Sequence, residues 1–164
     1  MAAVIAEARA RALIAAARSR GWRIATAESC TGGLVAAAIT DVAGSSDVFD
    51  RGFVGYSYPA KVAMLGVPQA LLTDHGAVSE AVARAMATGA LAASDAALAI
   101  AVTGVAGPGA SDAKPEGLVW FAAATADGVR AEKREFGALG RARVRARSVE
   151  VALDLALQTL LRTP

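Results

Sequence analysis

The chain has 164 residues, of which 55% are hydrophobic and only 5% aromatic, and its net charge is +2. This length suits one domain, residues 1–164, with a single core, and the composition excludes a disordered or fibrous protein. The charge is too small to indicate nucleic acid as a partner. No apolar run reaches the ~18–20 residues that span a bilayer, so we expect no membrane contact either.

The first predicted element is a helix over residues 4–20, in an arginine-rich segment. Such a composition also occurs in targeting peptides that are cleaved from the mature protein. Glu7 and the helical spacing of the apolar residues instead favour an amphipathic helix packed on the domain. We therefore expect a cytoplasmic protein.

The remaining predicted elements follow from apolar periodicity and from the positions of glycine, proline and polar clusters. In chain order they are strand 22–27, helix 34–40, strand 52–57, helices 59–66 and 79–94, strands 97–103, 118–125 and 129–136, and helix 141–162. Helices between the early strands favour parallel pairing, whereas a hairpin at Asp127-Gly128 makes one strand antiparallel. We predict a three-layer α/β/α sandwich with a five-stranded mixed, mainly parallel sheet.

The chain contains one cysteine, Cys30, and one histidine, His75. A single cysteine excludes an internal disulfide, and the two residues are too few for a zinc site of cysteines and histidines within one chain. A magnesium site built from carboxylates has no motif behind it. We expect no metal and no other cofactor.

Ligands of open α/β sheets bind beyond the carboxyl ends of the parallel strands. Three segments are expected at this edge: residues 28–33 after the first strand, 56–61 after the second and 103–109 after the third. Their convergence predicts the functional site.

Ser29 lies at the turn from the first strand into a helix. The amides that follow it, including those of Gly32 and Gly33, can point outward and hold an anion or a developing oxyanion. A serine at this place can attack a carbonyl carbon. The alternative is that Ser29 or Thr31 only caps the helix, which is a common use of these residues.

Lys61 is the candidate base for Ser29, because it lies one turn into a helix that starts at the same sheet edge. In a desolvated cleft its pKa falls, and the neutral amine can accept a proton. Tyr56 can pass a proton or orient the pair. The alternatives are a solvated surface lysine and a tyrosine that only packs. Glu28 can pair with Lys61, support the first turns of the helix or lie exposed.

The glycine-rich loop 103–109 lets backbone approach a ligand closely, but it matches neither the phosphate-loop nor the dinucleotide spacing. Four arginines begin the last helix, and helical spacing places Arg141 and Arg145 on one face and Arg143 and Arg147 on another. One pair can bind a phosphate, with the others solvated.

Several motifs together resemble the C-terminal domain family of the competence/damage-inducible protein CinA. They are TAESCTGG at 26–33, GAVSEAVARAMA at 76–87, TGVAGPG at 103–109 and Lys114-Pro115-x-Gly117. Each motif is weak alone, but their common order covers residues 4 to 162. The resemblance implies a nicotinamide-nucleotide amidase, which hydrolyses the carboxamide of nicotinamide mononucleotide to nicotinate mononucleotide and ammonia.

The family's catalytic serine, lysine and tyrosine fall on Ser29, Lys61 and Tyr56. The expected partner is a small-molecule nucleotide, and a protein of this kind is expected to be a homo-oligomer. The candidate substrate-binding residues are Cys30, Thr31, Gly32, Gly33, Thr103, Gly104, Gly107, Arg141 and Arg145.

The chain departs from the family pattern at two places. Tyr58-Pro59 replaces the usual Asn-Glu before Lys61, which can reshape the pocket wall, and Gly140 stands where an aspartate commonly precedes the arginine. Two other hypotheses therefore stay open. Cys30 with His75 can form a different nucleophile and base, or the domain can bind a nucleotide without catalysis and act through a partner.

Overall fold

The computed structural model describes residue 1 and residues 4–164 in full, and Ala2 and Ala3 only through their helical backbone. The described elements include a short 3₁₀ turn at Ser45–Asp47. The helices are α1 (Ala2–Ser19), α2 (Leu34–Thr40), α3 (Tyr58–Leu65), α4 (Gln69–His75), α5 (Glu80–Ala92) and α6 (Arg141–Arg162). The strands are β1 (Ile24–Glu28), β2 (Phe49–Val54), β3 (Leu98–Gly104), β4 (Leu118–Thr125) and β5 (Gly128–Glu135).

The five strands form one sheet in the order β2-β1-β3-β4-β5. Strand β1 pairs in parallel with both β2 and β3, whereas β4 is antiparallel to β3 and to β5. Four strands therefore run in one direction and only β4 runs against them. The predicted mixed, mainly parallel sheet with one reversed strand is confirmed.

The two faces of the sheet carry side chains of different size. Isoleucine, leucine, valine and phenylalanine from the central strands pack against α1, α2 and α6, and alanines at the alternate positions pack against α3, α4 and α5. Alternation follows from the two-residue period of a strand, and small alanines let α5 lie close to the sheet. Helices thus cover both faces, which confirms the three-layer α/β/α sandwich.

Two details of the predicted order are wrong. Helix α4 is missing from the predicted elements, because it offers only one buried apolar side chain, Leu72, and so no helical period. The second strand spans Phe49–Val54 rather than 52–57, since the chain leaves the sheet at Gly55 and Ser57 caps α3 by accepting the Ala60 amide at 3.1 Å. This early exit turns the Tyr56–Lys61 segment over the edge of the sheet.

None of the helices that the structure describes combines the length and the apolar composition needed to cross a membrane.

Candidate active site

A cleft of about 510 Å³ opens beyond the carboxyl ends of β1 and β3. All three segments that the sequence predicted at this edge line it, together with the start of α6. The lining includes Ser29, Cys30, Tyr56, Tyr58, Lys61, Thr103, Gly104, Gly107, Asp112 and Arg141. The residues Thr31, Gly32, Gly33 and Arg145, which the sequence also suggested, are not among those that line the cleft.

Glu28, rather than Ser29 or Thr31, caps the helix that follows the serine. The Glu28 carboxylate is 1% exposed and accepts the amides of Val35 and Ala36 at 2.8 and 3.0 Å. A carboxylate at this helix end satisfies two free N–H groups and complements the helix dipole. The Ser29 hydroxyl therefore remains free to face the cleft.

The carbonyl groups of Ser29, Cys30 and Thr31 in the turn all accept hydrogen bonds. The Ser29 carbonyl accepts the Gly32 amide at 3.0 Å, and the carbonyls of Cys30 and Thr31 accept Nε and Nη2 of Arg145 at 3.1 and 3.2 Å. In a trans peptide the N–H points opposite to the C=O. The Thr31 amide, which shares a peptide group with the Cys30 carbonyl, accordingly points away from Arg145. The Cys30 amide shares a peptide group with the Ser29 carbonyl and points away from the Gly32 amide, and within the described part of the chain neither N–H has a backbone partner.

Lys61 is buried at the base of the cleft, with a relative exposure of 1%. Its Nζ lies 2.9 Å from Ser29 Oγ, and it donates to the carbonyls of Gly55 at 2.8 Å and Tyr56 at 3.2 Å. Burial lowers the pKa of Lys61 to about 8, because the ammonium loses solvation. The ammonium is still the major form near neutral pH, but the neutral amine is far more abundant than for a lysine with the usual pKa.

Cys30 and His75 do not form a nucleophile and base. Burial raises the pKa of the Cys30 thiol to about 12, so the thiolate is absent at neutral pH. His75 is exposed at the end of α4 and does not line the cleft.

Tyr56 and Arg141 contact each other at the rim of the cleft, whereas Arg145 contacts the serine turn. Tyr56 is 57% exposed, and its hydroxyl accepts Nη2 of Arg141 at 3.0 Å rather than contacting Ser29 or Lys61. Arg141 also donates to the Gly107 carbonyl at 2.9 Å, so its guanidinium lies at the cleft rim. Arg145 instead reaches the back of the serine turn.

The glycine-rich loop is fixed by side chains from three directions. Thr103 is fully buried and donates its hydroxyl to the Ala77 carbonyl at 2.8 Å. Glu116 accepts the Gly109 amide at 2.8 Å and the Gly140 amide at 3.1 Å, which ties the loop to the start of α6. Tyr58 donates to Asp112 at 2.7 Å on the opposite side.

Sequence reasoning missed Asp112 and Glu116 as parts of the site, and it placed Tyr58 at the pocket wall without assigning it a partner. Ser111-Asp112-Ala113-Lys114 reads as a tight turn, which is the one signal that could have drawn attention to Asp112. Among the described residues, no group of three or more histidine, cysteine, aspartate and glutamate side chains is arranged to hold a metal ion.

The family model of the CinA C-terminal domain matches residues 6–160. The chain is 50% identical over 148 residues to the nicotinamide-nucleotide amidohydrolase PncC of Escherichia coli strain K12, covering 90% of each protein.

Two solved structures are similar to this fold over nearly the whole chain. The competence/damage inducible protein CihA of Agrobacterium tumefaciens is 47% identical, with a TM-score of 0.92 over 96% of both chains. The competence damage-inducible protein A of Klebsiella pneumoniae is 38% identical, with a TM-score of 0.92 over 97% of this chain and 99% of that one.

The family match and the amidohydrolase relatives agree over nearly the whole chain. The protein is an amidohydrolase, and it belongs to the CinA C-terminal domain family.

Proposed function

We propose that the protein hydrolyses the carboxamide of a nicotinamide nucleotide, with nicotinamide mononucleotide as substrate, by a serine–lysine mechanism. The observation that carries the mechanism is the 2.9 Å contact between Lys61 Nζ and Ser29 Oγ in a buried setting. The substrate class is supported by the name of the Escherichia coli relative, which is 50% identical.

Lys61 acts as the general base in its neutral form. A neutral amine has two N–H groups and one lone pair, and the carbonyls of Gly55 and Tyr56 take the two N–H groups. The lone pair then faces the Ser29 hydroxyl and accepts its proton. Lowering of the lysine pKa by burial keeps this form populated.

In the first half of the reaction, Ser29 Oγ forms a bond to the carboxamide carbon while its proton moves to Lys61. The amides of Cys30 and Thr31 stabilise the negative oxygen of the tetrahedral intermediate, as in other acyl-transfer enzymes. Lys61 then returns the proton to the amide nitrogen, the C–N bond breaks, and ammonia leaves. In the second half, water deprotonated by Lys61 attacks the ester, which releases the nicotinate nucleotide and restores Ser29.

The 5′-phosphate is assigned to the rim of the cleft near Arg141. Among the described residues, the Arg141 guanidinium donates only to neutral partners, the Gly107 carbonyl and the Tyr56 hydroxyl, so its positive charge is available for an anion.

The test is release of ammonia from nicotinamide mononucleotide by the wild-type protein, by Ser29→Ala and by the control Ser19→Ala. Ser19 ends α1 and donates only to the Ala16 carbonyl, remote from the cleft. We expect Ser29→Ala to fold and bind the nucleotide but to release no ammonia, and Ser19→Ala to match the wild type. Full activity of Ser29→Ala would exclude the serine mechanism, and binding without turnover by the wild type would support the silent nucleotide-binding module.

A further inference from the structure

The charged groups that line the cleft have opposite signs at its two sides. The charged side chains of the lining are Lys61, Asp112 and Arg141, and Lys61 reacts in its neutral form. Neither Asp112 nor Arg141 takes part in the ion pairs formed by the described residues. The working cleft thus has one negative and one positive charge that lie outside these ion pairs.

Asp112 is held in place by Tyr58. The Tyr58 hydroxyl accepts the Ala77 amide at 3.1 Å and donates to Asp112 Oδ2 at 2.7 Å. The hydrogen bond to Asp112 raises the pKa of Tyr58, so the hydroxyl stays protonated and acts as the donor. Only one carboxylate oxygen is used in this contact, and the other is available to the cleft.

The backbone also fixes the position of this carboxylate. Asp112 and Ala113 both have positive φ, at 52° and 58°, between mutual hydrogen bonds of Ser111 and Lys114 at 3.0 and 2.9 Å. This is the geometry of a tight hairpin turn, in which aspartate is favoured at the first position and alanine is strained at the second. The Lys114 ammonium anchors the turn by donating to the carbonyls of His75 and Val78.

The field of Asp112 reaches the reacting groups. Burial is the main cause of the lowered pKa of Lys61, and the negative charge of Asp112 acts in the opposite direction. A ring attached to a carboxamide that is held at Ser29 would lie in this same field. In an oxidised nicotinamide nucleotide this ring is an N-alkylpyridinium, which carries a positive charge.

We infer that Asp112, fixed by Tyr58, is a specificity-determining residue that selects carboxamide substrates with a cationic ring. The inference rests on the proposed function and extends it to the charge of the substrate. The carboxylate stabilises the pyridinium, while Arg141 at the other side takes the phosphate. A nucleotide with a neutral dihydropyridine ring has no positive charge for Asp112 to stabilise. Its binding removes water from the Asp112 carboxylate without compensation, which costs free energy.

The experiment compares oxidised and reduced nicotinamide mononucleotide on the wild type and on Asp112→Asn, Tyr58→Phe and Asp127→Asn. Asparagine removes the charge, tolerates positive φ and still accepts the Tyr58 hydroxyl. Asp127→Asn is the matched control, since it makes the same charge change in the β4–β5 turn. The measured quantity is the ratio of kcat/KM for the oxidised nucleotide to that for the reduced one, in which differences of intrinsic reactivity cancel between variants.

We expect Asp112→Asn to lower this ratio ~10-fold, the size of one charge-assisted contact, mainly by raising KM for the oxidised nucleotide. Tyr58→Phe should lower it less, and Asp127→Asn should leave it unchanged. An unchanged ratio in Asp112→Asn would overturn the inference while the proposed function stands. If the wild type releases no ammonia from either nucleotide, the proposed function fails. The inference is then tested by binding instead, through the ratio of the dissociation constants of the oxidised and the reduced nucleotide in each variant.

Discussion

The Nζ atom of Lys61 lies 2.9 Å from the hydroxyl oxygen of Ser29, and the lysine is 1% exposed. The two residues are 32 positions apart, and each belongs to the turn or helix that follows a strand of the same parallel pair. An ammonium in such a place is destabilised relative to the amine, which is the condition that a lysine base requires.

Replacing Lys61 by arginine should abolish most of the activity. Arginine keeps the positive charge and a similar length but cannot lose its proton at accessible pH. We expect Lys61→Arg to lower kcat ~10²-fold or more, as for the loss of a general base. Lys133→Arg, at an exposed position on β5, is the matched control. Turnover near the wild-type value in Lys61→Arg would assign Lys61 an electrostatic role only.

The activity of the wild type should rise with pH around the pKa of Lys61. The folded-state pKa is lowered to about 8, so the protonated, inactive lysine predominates below that pH and the neutral base above it. We expect kcat/KM to increase through pH 7 to 9 and to stay high at mildly alkaline pH, measured as initial rates of ammonia release. A profile that falls over this range would contradict a lysine base.

Cys30 should resist alkylation although it follows the nucleophile directly. Its thiol is buried, and burial raises its pKa to about 12, so almost no thiolate is present to react. We expect iodoacetamide at neutral pH to leave both the mass of the folded protein and its ammonia release unchanged. Unfolding in denaturant should expose the thiol and give one added group. Rapid labelling with loss of activity would restore the cysteine hypothesis.

The fold was largely predictable because its main elements carry strong local signals. The last helix was predicted at 141–162 and spans Arg141–Arg162. The predicted hairpin is present, with its turn at Ala126-Asp127, one residue before the predicted Asp127-Gly128. Helix α4 and the bounds of β2 were wrong because both are short and partly exposed. Burial, which creates the sequence pattern, is weak in such elements.

The site was predictable to the level of segments but not of side-chain directions. The topology of a parallel sheet brings the segments of Ser29 and Lys61 to one edge. It does not determine how α6 is rotated, and so Arg141 and Arg145, on one helix face, could not be assigned to different tasks. The contact of Tyr58 with Asp112 joins residues 54 positions apart through a loop without periodicity, which leaves no pattern to read.

Gly89 should not tolerate a side chain, because α5 crosses the end of α3 at this point. A Cβ on Gly89 would overlap the carbonyl group of Leu65, which is backbone and cannot move aside. Gly→Ala within a helix normally stabilises by ~1 kcal/mol. We expect Gly89→Ala instead to lower the free energy of unfolding by ~1–3 kcal/mol, as overpacking does, measured by urea denaturation. Thr88→Ala, on the exposed face of the same helix, should not destabilise, and a stabilised Gly89→Ala would contradict the close crossing.

Arg145 and Arg141 should affect different kinetic constants, although they are one helical turn apart. Arg145 holds the carbonyls of Cys30 and Thr31 and so orients the Thr31 amide and fixes the turn that carries the Cys30 amide, the two groups that we assign to the oxyanion. This task matters most in the transition state. Arg145→Lys cannot form both of these hydrogen bonds in the same geometry, so it should lower kcat ~10-fold or more with little change in KM.

Arg141 holds only the rim of the cleft, where we place the phosphate. Arg141→Lys should therefore raise KM for nicotinamide mononucleotide several-fold while kcat changes little, the pattern of lost uniform binding.

The role of Arg145 has a separate test by chemical rescue. Guanidinium ion added to Arg145→Ala should recover part of kcat, because the ion can occupy the vacated site and bind the same two carbonyls. A variant that is merely destabilised would not recover activity in this way. If Arg145→Lys raises KM and leaves kcat intact, Arg145 binds the phosphate and the positioning role is wrong. Equal effects of both variants on KM would place the phosphate between the two arginines.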